Sequence, residues 1–507
     1  MLLKGTQSSP KTSALLFAGI AALLGIAAGM LIISVDNPVF ILVGLASLIG
    51  FVATVASVEF GLLLLVFITY TRFSDIAVHN YGAPSIAKSF IVLLLIAIFI
   101  RWAISNDRPR GLLLPTLMVV AYGLVGFTSL LYAPDKDAVI YSLSNYEKDA
   151  LIAIVVVALL KKPQQLKQVI YTLLVVGIFI GSISVHQYLT KNFRNDYGGF
   201  AVAEYMNIVD NTNDYRLSGP VGDPNFFAQV MVVLALLGVE RLVHEKKILL
   251  KILAGWAAAV STLTVVFTFS RGATVALVIA LIIFFWIHRL KPAQLIAILV
   301  LGIAMLLFAP PTYFERILTI KNILPSTSSD GQLNVRTDRA IQGRASEGLT
   351  AWVMFTQNPW MGVGLNNFSS LYQEYTKSLG LAPSATNRSP HNLYLEVAAE
   401  TGMVGLVVFL IMVGLAFRSI LYARRKFREA GMEDYANMIT GFAIAFGGYM
   451  LSAVFVHAAY PRYFYLLVGI AYALPVIFEQ LQIEQENKTM RPGIASVYDL
   501  TGTETQL

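Results

Sequence analysis

Long uninterrupted apolar stretches dominate this chain and limit its possible folds more than any other feature. Fourteen stretches are long enough, or nearly so, to cross a bilayer as helices, which takes about 17 to 25 apolar residues. Lipid offers no partner to an unpaired backbone group, so helices are the expected form. The predicted spans are 14–34, 38–56, 58–71, 86–104, 112–132, 149–160, 167–189, 224–242, 248–270, 272–288, 293–309, 392–417, 435–457 and 463–482.

The composition excludes a soluble alternative. Of the 507 residues, 56% are hydrophobic and 13% are charged, and no single core of this length could bury so much apolar surface. The predicted fold is an all-α polytopic membrane protein with about 12–14 transmembrane helices, since the spans 58–71 and 149–160 are short. The net charge of +7 does not indicate nucleic acid, because the basic residues are dispersed among short turns. The chain has no cysteine, which excludes thiolate chemistry.

Basic turns predict the orientation of the spans. If the amino terminus is cytoplasmic, the positive-inside rule is satisfied by alternate turns. These turns contain Arg101, Arg108 and Arg110; Lys161, Lys162 and Lys167; Arg241, Lys246, Lys247 and Lys251; Arg289 and Lys291; and Arg418, Arg424, Arg425, Lys426 and Arg428. The two longest connections, 190–223 and 310–391, then lie outside the cytoplasm. The larger one is predicted to be partly helical, with a helix over 336–357.

Four features converge on the outer face in this topology: Arg216, Arg271, Arg344 and His391. Asp223 is predicted to cap a helix, with Pro224 at its first position and Asn225 next. Arg271 interrupts a nearly uncharged stretch, and a guanidinium near hydrocarbon costs several kcal/mol unless it reaches headgroups or an anion. Both readings of Arg271 stay open.

The large loop adds three arginines, at 336, 339 and 344. A helix places Arg336 and Arg339 on adjacent turns and Arg344 obliquely to them. Such a row is either a solvated face or an anion site.

His391 offers the most useful chemistry. Ser389 is predicted as the cap and Pro390 as the first turn of a helix, which places His391 at a positive helix end that keeps its imidazole neutral. His391 is therefore a candidate proton acceptor. Glu396 and Glu400 follow on the same helix, and acids within a membrane are either functional or paired, here with the outer arginines.

The other polar residues give no metal or cofactor site. No His, Asp and Glu cluster has the spacing of metal ligands, and there is no phosphate-binding glycine loop. Metal-independent chemistry without a cofactor is therefore predicted. Three further histidines near the outer face, His79, His186 and His457, show no pattern.

Several segments together resemble the O-antigen ligase and O-antigen polymerase superfamily of bacterial membrane glycosyltransferases. They are RLSGPVGDPN at 216–225, SRG at 270–272, GRASEGLTAW at 343–352 with NPWMGVGLNNF at 358–368, and SPHNLYLEVAAETG at 389–402. The resemblance covers roughly residues 210–420. The ordered combination is far more specific than any one of these segments.

The resemblance implies a lipid-dependent fold of the GT-C type and a site on the outer leaflet. His391, Arg216 and Arg344 correspond to the catalytic residues of the family, and Arg216, Arg271, Arg339 and Arg344 to its diphosphate ligands. The supporting residues are Glu396, Glu400, Asn392, Asp223 and Asn225. The reaction implied is metal-independent glycosyl transfer with inversion, and no cofactor is expected.

The implied partners are an undecaprenyl-diphosphate-linked glycan donor, a glycan or lipid A-core acceptor, and membrane lipids. The predicted regions are 1–209, with amino-terminal helices and the second outer loop; 210–420, the catalytic region; 421–482, the last helices; and 483–507, a disordered cytoplasmic tail. The location is the bacterial plasma membrane, with both termini cytoplasmic and the active site outside.

Four functions remain open, and one of them is a glycan-binding or assembly scaffold, which would tolerate loss of His391. A polymerase joins one carrier-linked repeat to another, and it is the first candidate because of the span count and the sizeable loop 190–223. A ligase moves a finished glycan to lipid A-core or to a protein. A transporter of a small anion, from another functional class, should instead show inverted repeats and charged or broken spans near the midplane.

Overall fold

A computed structural model describes residues 49–50, 52–54, 57–105, 109–206, 215–288, 313, 339–380, 388–457 and 461–490. The predicted spans 14–34 and 293–309, and most of 38–56, lie outside these residues. Arg336 and residues 491–507 of the predicted tail lie outside them as well.

The described part of the chain is almost entirely helical, as the apolar stretches predict. In chain order the α-helices are α1 (Val58–Thr71), α2 (Phe73–Tyr81), α3 (Ile86–Ser105), α4 (Leu113–Tyr132), α5 (Lys136–Leu159), α6 (Pro163–Leu189), α7 (Pro224–His244), α8 (Ile248–Phe267), α9 (Arg271–His288), α10 (Arg339–Gln357), α11 (Phe368–Ser378), α12 (Leu393–Glu429), α13 (Glu433–Ser452) and α14 (Pro461–Met490). A 3-10 helix, Ala453–Phe455, follows α13.

Nine helical segments of the described residues are long and apolar enough to cross a membrane, or ten if the bent pair α1 and α2 counts as one span. This confirms an all-α polytopic membrane protein. Helix α5 is not among the nine because its first half is charged. The sequence predicted only its apolar end, 149–160, whereas the helix begins at Lys136 because the Asp135 side chain accepts a 2.9 Å hydrogen bond from the Ala138 amide.

Two helices extend beyond their predicted ends. Helix α12 continues past 417 to Glu429, where Lys426 and Glu429 form a 2.9 Å ion pair on the helix surface. Helix α14 continues past 482 to Met490. Residues 483–490, predicted to be the start of a disordered tail, are therefore helical, because Glu, Gln and Lys in this stretch are good helix formers.

Helix α12 is broken at Gly402, which has a φ of +64°. A side chain at this position would overlap the backbone of Trp360. The break exposes amides of α12, and those of Met403 and Val404 donate to the carbonyls of Pro359 and Trp360 at 2.7 and 3.3 Å. The segment 358–364 therefore crosses α12 at the break.

Helix α7 forms the centre of the bundle, and 89% of its apolar window is buried. It packs against α6, α8, α9 and α13. The amino ends of α7, α9 and α12 and the carboxyl ends of α8 and α13 lie together, because Gln229 of α7 donates to the Tyr449 carbonyl of α13 and Tyr394 of α12 donates to the Met450 carbonyl. We call this the site end of the bundle.

The second outer loop also reaches the site end. Strands β1 (Tyr205–Met206) and β2 (Tyr215–Arg216) pair antiparallel, with Tyr205 opposite Arg216. The Leu217 amide donates to the carbonyl of Phe267, the last residue of α8, at 3.2 Å. The loop thus places Arg216 beside the amino end of α7.

Candidate active site

His391 lies immediately before α12, at the site end. The helix is capped by Asn392, whose side-chain oxygen accepts hydrogen bonds from the amides of Tyr394 and Leu395 at 3.0 and 3.1 Å. The predicted cap at Ser389 is therefore wrong, because Asn392 already satisfies these amides. The Ser389 carbonyl instead accepts a 3.2 Å hydrogen bond from Nδ1 of His391. With its proton on Nδ1, the neutral ring presents the lone pair of Nε2.

A carboxylate of the large loop lies close to the same ring nitrogen. Oε2 of Glu347 is 3.6 Å from Nδ1 of His391, and its Oε1 accepts a 3.0 Å hydrogen bond from Arg388. The Glu347 side chain is 1% exposed, and burial raises its pKa against the opposing charges of Arg388 and Arg344. A buried carboxylate beside Nδ1 can orient the imidazole and stabilise the imidazolium that proton transfer creates.

A second histidine stacks on the first. The rings of His391 and His457 are 5.6 Å apart at an angle of 24°. Burial lowers the pKa of His391 to about 4, and the charges of Arg344 and His457 act in the same direction. Burial also lowers the pKa of His457, whereas the negative charge of Asp223 opposes both shifts. Near neutral pH, His391 is therefore an uncharged base.

Arg344 lies in α10, one turn before Glu347. Its charge acts on both His391 and Glu347, so the guanidinium is near the ring although the two residues are far apart in sequence. The predicted helix 336–357 is described from Arg339 onwards. Arg339 occupies the first position of α10, and its side chain lies outside the described residues.

Arg216 is fixed by two hydrogen bonds of 2.9 Å. Its Nε donates to the Thr268 carbonyl at the end of α8, and Nη2 donates to Oδ1 of Asn225 in the first turn of α7. Asp223 caps α7 as predicted and accepts hydrogen bonds from the amides of Asn225 and Phe226, both at 2.8 Å. The guanidinium is thereby held over the amino end of a helix.

Arg271 begins α9, three residues after the Thr268 carbonyl that binds Arg216. The next residue, Gly272, packs so closely on Phe455 that a Cβ there would lie 2.5 Å from its side chain. Phe455 is two residues before His457. The start of α9 is therefore adjacent both to Arg216 and to the segment that carries the second histidine.

The two acids of α12 differ in their surroundings. Glu400 is buried, and its carboxylate accepts hydrogen bonds from the amides of Asn366 and Phe368 at 2.7 and 3.3 Å. It therefore anchors the segment that crosses the helix break, and it forms no ion pair with Arg216, Arg271 or Arg344 among the described residues, because two backbone amides already satisfy it. Glu396 is half-buried and faces the cavity described next.

A cavity of about 320 Å³ lies between α4, α5, α7, α12 and α14. Ser389 and His457 also line it. Tyr122, Tyr146 and Tyr465 line it together with Gln229, Asn145, Glu396 and Glu400. This volume is at the lower limit of ligand pockets, which span about 300–1,000 Å³. Hydroxyl, amide and carboxylate groups on aromatic walls suit a sugar next to the histidine pair. We call this space the first cavity.

The sequence did not reveal Glu347, Arg388 or His457 as neighbours of His391. Glu347 could have been noticed because it follows Arg344 by three residues on the predicted helix. Nothing in the local pattern marks Arg388 or His457. The described residues include no group of three His, Asp or Glu side chains that could hold a metal ion, and metal independence stays a prediction.

Comparison with known families adds an independent observation. Residues 256–410 match the family model Wzy_C, described as O-antigen ligase. The matched region is less than half of the chain and includes Arg271, Arg344, Glu347 and His391, but not Arg216 or His457. No curated protein matches the chain.

The match agrees with the motifs at 270–272, 343–352 and 389–402, and with the membrane-spanning bundle around them. It supports a membrane enzyme that transfers glycans. Residues 256–410 therefore carry an O-antigen ligase domain, and this match supports the O-antigen ligase and polymerase superfamily.

Proposed function

We propose that the protein transfers a glycan from an undecaprenyl-diphosphate carrier to an acceptor hydroxyl at the outer face of the plasma membrane. The observation that carries this proposal is the pairing of a neutral imidazole, that of His391, with the guanidinium of Arg344 beside it. Such a pair supplies a base and a diphosphate ligand at one place.

His391 acts as the general base. Its Nδ1 proton is held by the Ser389 carbonyl, with Glu347 behind it, so Nε2 is the proton acceptor. A bound diphosphate offsets the charge of Arg344, and this raises the pKa of His391 and makes the ring a stronger base when substrate is present.

Three arginines provide the counter-charge for the carrier. Arg216 donates to the Thr268 carbonyl, Arg271 begins α9 three residues later, and Arg344 lies in α10 of the large loop. Guanidinium groups bind phosphate oxygens bidentately and remain charged at any physiological pH. They stabilise the charge that develops on the leaving diphosphate.

The reaction is a single displacement. The acceptor oxygen attacks the anomeric carbon while the bond from that carbon to the phosphate oxygen breaks, and the hydroxyl proton passes to Nε2 of His391. The bonding electrons leave with undecaprenyl diphosphate. Attack from the face opposite the leaving group inverts the anomeric configuration, and the three arginines take the part that a metal ion plays in other transferases.

The basic turns support an extracytoplasmic site. Lys161, Lys162, Lys246 and Lys247 lie at the end of the bundle opposite His391, on connections between α5 and α6 and between α7 and α8. Cytoplasmic connections are enriched in lysine and arginine. The site end then faces the periplasm or the cell exterior.

Single substitutions test this proposal in proteoliposomes supplied with undecaprenyl-diphosphate-linked oligosaccharide. His391→Ala is expected to lower kcat by about 10²–10⁴-fold, and Arg216→Ala and Arg344→Ala by about 10²–10³-fold each. His186→Ala and Arg194→Ala alter exposed residues outside the site and serve as controls. Wild-type activity in all three site variants would contradict the proposed mechanism.

Polymerase and ligase are separated by a deletion strain. A polymerase is our first candidate because the loop 190–223 is sizeable and its strand pair fixes Arg216. Loss of the polymerase leaves single repeats on the carrier. Loss of a ligase lets long carrier-linked chains accumulate without an acceptor, and this result would reassign the protein to ligation.

A further inference from the structure

A second cavity of about 450 Å³ lies at the site end, outside the region that matches the family model. It is lined by residues of α1, α2, α3 and α5 and by Arg462 of α14. Six charged side chains line it, whereas the first cavity is lined by five tyrosines and two carboxylates.

Positive charge exceeds negative charge around this second cavity. Arg72, Lys88, Lys148 and Arg462 line it, against two carboxylates, Asp75 and Asp149. Burial lowers the pKa of Lys148, the charges of Lys88 and Arg462 act in the same direction, and those of Asp149 and Asp75 oppose the shift. Like charges that converge on a cavity are costly unless an anion joins them.

The two carboxylates form ion pairs with the arginines. Oδ2 of Asp75 lies 2.8 Å from Nε of Arg72 and 2.7 Å from Nη1 of Arg462. Asp149 lies 3.7 Å from Nε of Arg462. In the described part of the chain, no carboxylate is within salt-bridge distance of Lys88 or Lys148. The surplus charge of the cavity therefore resides on these two lysines.

The second cavity adjoins the first. Tyr141 and Asn145 of α5 line both cavities, and Asn145 accepts a 2.6 Å hydrogen bond from the Lys148 ammonium. Arg72 also donates to the Pro220 and Val221 carbonyls at 3.2 and 3.0 Å, just before the α7 cap. A ligand can thus extend from the lysines, past Asn145, towards the histidine pair.

We infer that the second cavity binds a phosphate group of the acceptor glycolipid through Lys88 and Lys148. The inference rests on the proposed function and deepens it, because it gives the acceptor an anion site of its own. Arg216, Arg271 and Arg344 would hold the donor diphosphate, and the acceptor sugar would lie in the first cavity between the two anions.

Lysine pairs suit phosphate because the ammonium is a compact charge with three donors that tolerates several geometries. Two acceptors share this chemistry, a second undecaprenyl-diphosphate-linked glycan and a phosphorylated lipid A-core. The first is the acceptor of a polymerase and the second that of a ligase.

The decisive variant is Lys88→Gln with Lys148→Gln in the full chain. The matched control is Lys136→Gln, an exposed lysine of the same helix α5 that does not line the cavity. Lys88→Arg with Lys148→Arg restores the charge and tests whether a loss reflects folding. Size-exclusion profiles in detergent accompany each variant.

Donor and acceptor are made distinguishable by chemistry. The donor carries a methylated terminal hydroxyl, so it cannot accept. The acceptor carries a phosphonate in place of the anomeric phosphate ester, so it cannot donate. In parallel arms the acceptor is the carrier-linked glycan, the phosphorylated lipid A-core, or either molecule without its phosphates.

The Gln variant is expected to raise the KM for the phosphorylated acceptor about tenfold or more, with the donor KM within twofold of wild type. The arm in which this occurs identifies the acceptor. Removal of the acceptor's phosphates should raise the wild-type KM similarly and make the Gln variant indistinguishable from wild type. An unchanged acceptor KM, or an equal rise of the donor and acceptor KM, overturns the inference.

A binding measurement separates this inference from the proposed function. Inorganic pyrophosphate is titrated into wild type, the Gln variant and Arg344→Gln by calorimetry. We expect the Gln variant to lose one class of pyrophosphate site and Arg344→Gln to lose another. This result supports anion binding in the second cavity even if the wild-type protein transfers no glycan. Absence of transfer would contradict only the proposed function. Identical isotherms for wild type and the Gln variant would contradict phosphate binding by Lys88 and Lys148 in the second cavity.

Discussion

The two ends of helix α7 hold charged side chains in opposite ways. At the carboxyl end, Arg241 is fully buried and donates to both oxygens of Glu240 at 2.5 and 2.6 Å and to Asp434 at 2.9 Å. At the site end, Arg344 and His391 lie near the buried Glu347, whose Oε2 accepts no hydrogen bond from the described residues. The Arg241 guanidinium is therefore matched by two carboxylates, whereas the Glu347 carboxylate has one oxygen that receives no hydrogen bond within the described part of the chain.

Backbone contacts also hold the site end together. Residues 358–364 cross the break of α12 at Gly402, and Glu400 secures the same segment through two amides. These backbone contacts fix the first part of α12, directly after His391, and so help to position the candidate base.

The largest effect on stability is expected from Arg241→Ala. It leaves Glu240 buried without its main partner, which costs about 3–5 kcal/mol of the free energy of unfolding. Denaturation in mixed micelles measures this cost. Transfer per folded molecule should stay at the wild-type level, because the change lies at the far end of α7.

Arg344→Ala is the matched change at the site end. It should remove transfer and alter the free energy of unfolding by less than about 1 kcal/mol. If Arg344→Ala proved as destabilising as Arg241→Ala, the contrast between the two ends would be lost.

The next effect is expected from Gly402→Ala. A left-handed backbone costs a residue with a side chain about 1–3 kcal/mol, and the new methyl group would also overlap the Trp360 backbone. We expect loss of both stability and transfer, since the crossing segment supports the site end. Gly414→Ala is the control in the same helix, where nothing lies within 4 Å of a new Cβ, and it should be neutral or stabilising. Equal behaviour of the two variants would contradict this role of the break.

Much of the fold followed from the sequence because it depends on patterns within single elements. Apolar length predicted the nine spans found among the described residues, and Asp223 followed by Pro224 predicted the start of α7. The arginines and His391 were assigned to one face by counting crossings. These inferences require no knowledge of which helices touch.

The remaining features depend on contacts between elements. His457 reaches His391 only because the chain leaves α13 beside the start of α12, and Glu347 does so only because α10 packs on α12. The second cavity brings together charged residues from short turns and helix ends that are far apart in the sequence. A hydropathy pattern does not predict that they meet. Gly402 lies inside a helix-forming stretch, and only the crossing segment explains its break.

Glu347→Gln should have a smaller effect, a fall in kcat of about 10–10²-fold, or about 1.4–2.7 kcal/mol in the barrier. The neutral amide keeps the shape and the contact with Arg388 but no longer favours the imidazolium that forms during transfer. KM should change little, as expected of a positioning residue. Glu374→Gln, on the exposed face of α11, is the control. A rise in KM at constant kcat would assign Glu347 to substrate binding instead.

The smallest effect concerns pH. Burial holds the pKa of His391 at about 4, so the kcat/KM of the free enzyme should fall as the pH drops through this value and the base becomes protonated. Arg344 lowers this pKa and Asp223 raises it. Arg344→Gln should therefore move the acid limb to higher pH, and Asp223→Asn, which keeps the helix cap, to lower pH.

Each of these shifts should be about half a unit to one unit, equivalent to about 0.7–1.4 kcal/mol. Initial rates between pH 3.5 and 8 in proteoliposomes measure them, with the residual activity of Arg344→Gln normalised to its own plateau. Shifts of the acid limb in opposite directions in the two variants would assign it to the His391 imidazole, whose pKa both charges affect. A limb that neither substitution moves belongs to another group, and His391 would then lose its assignment as the base.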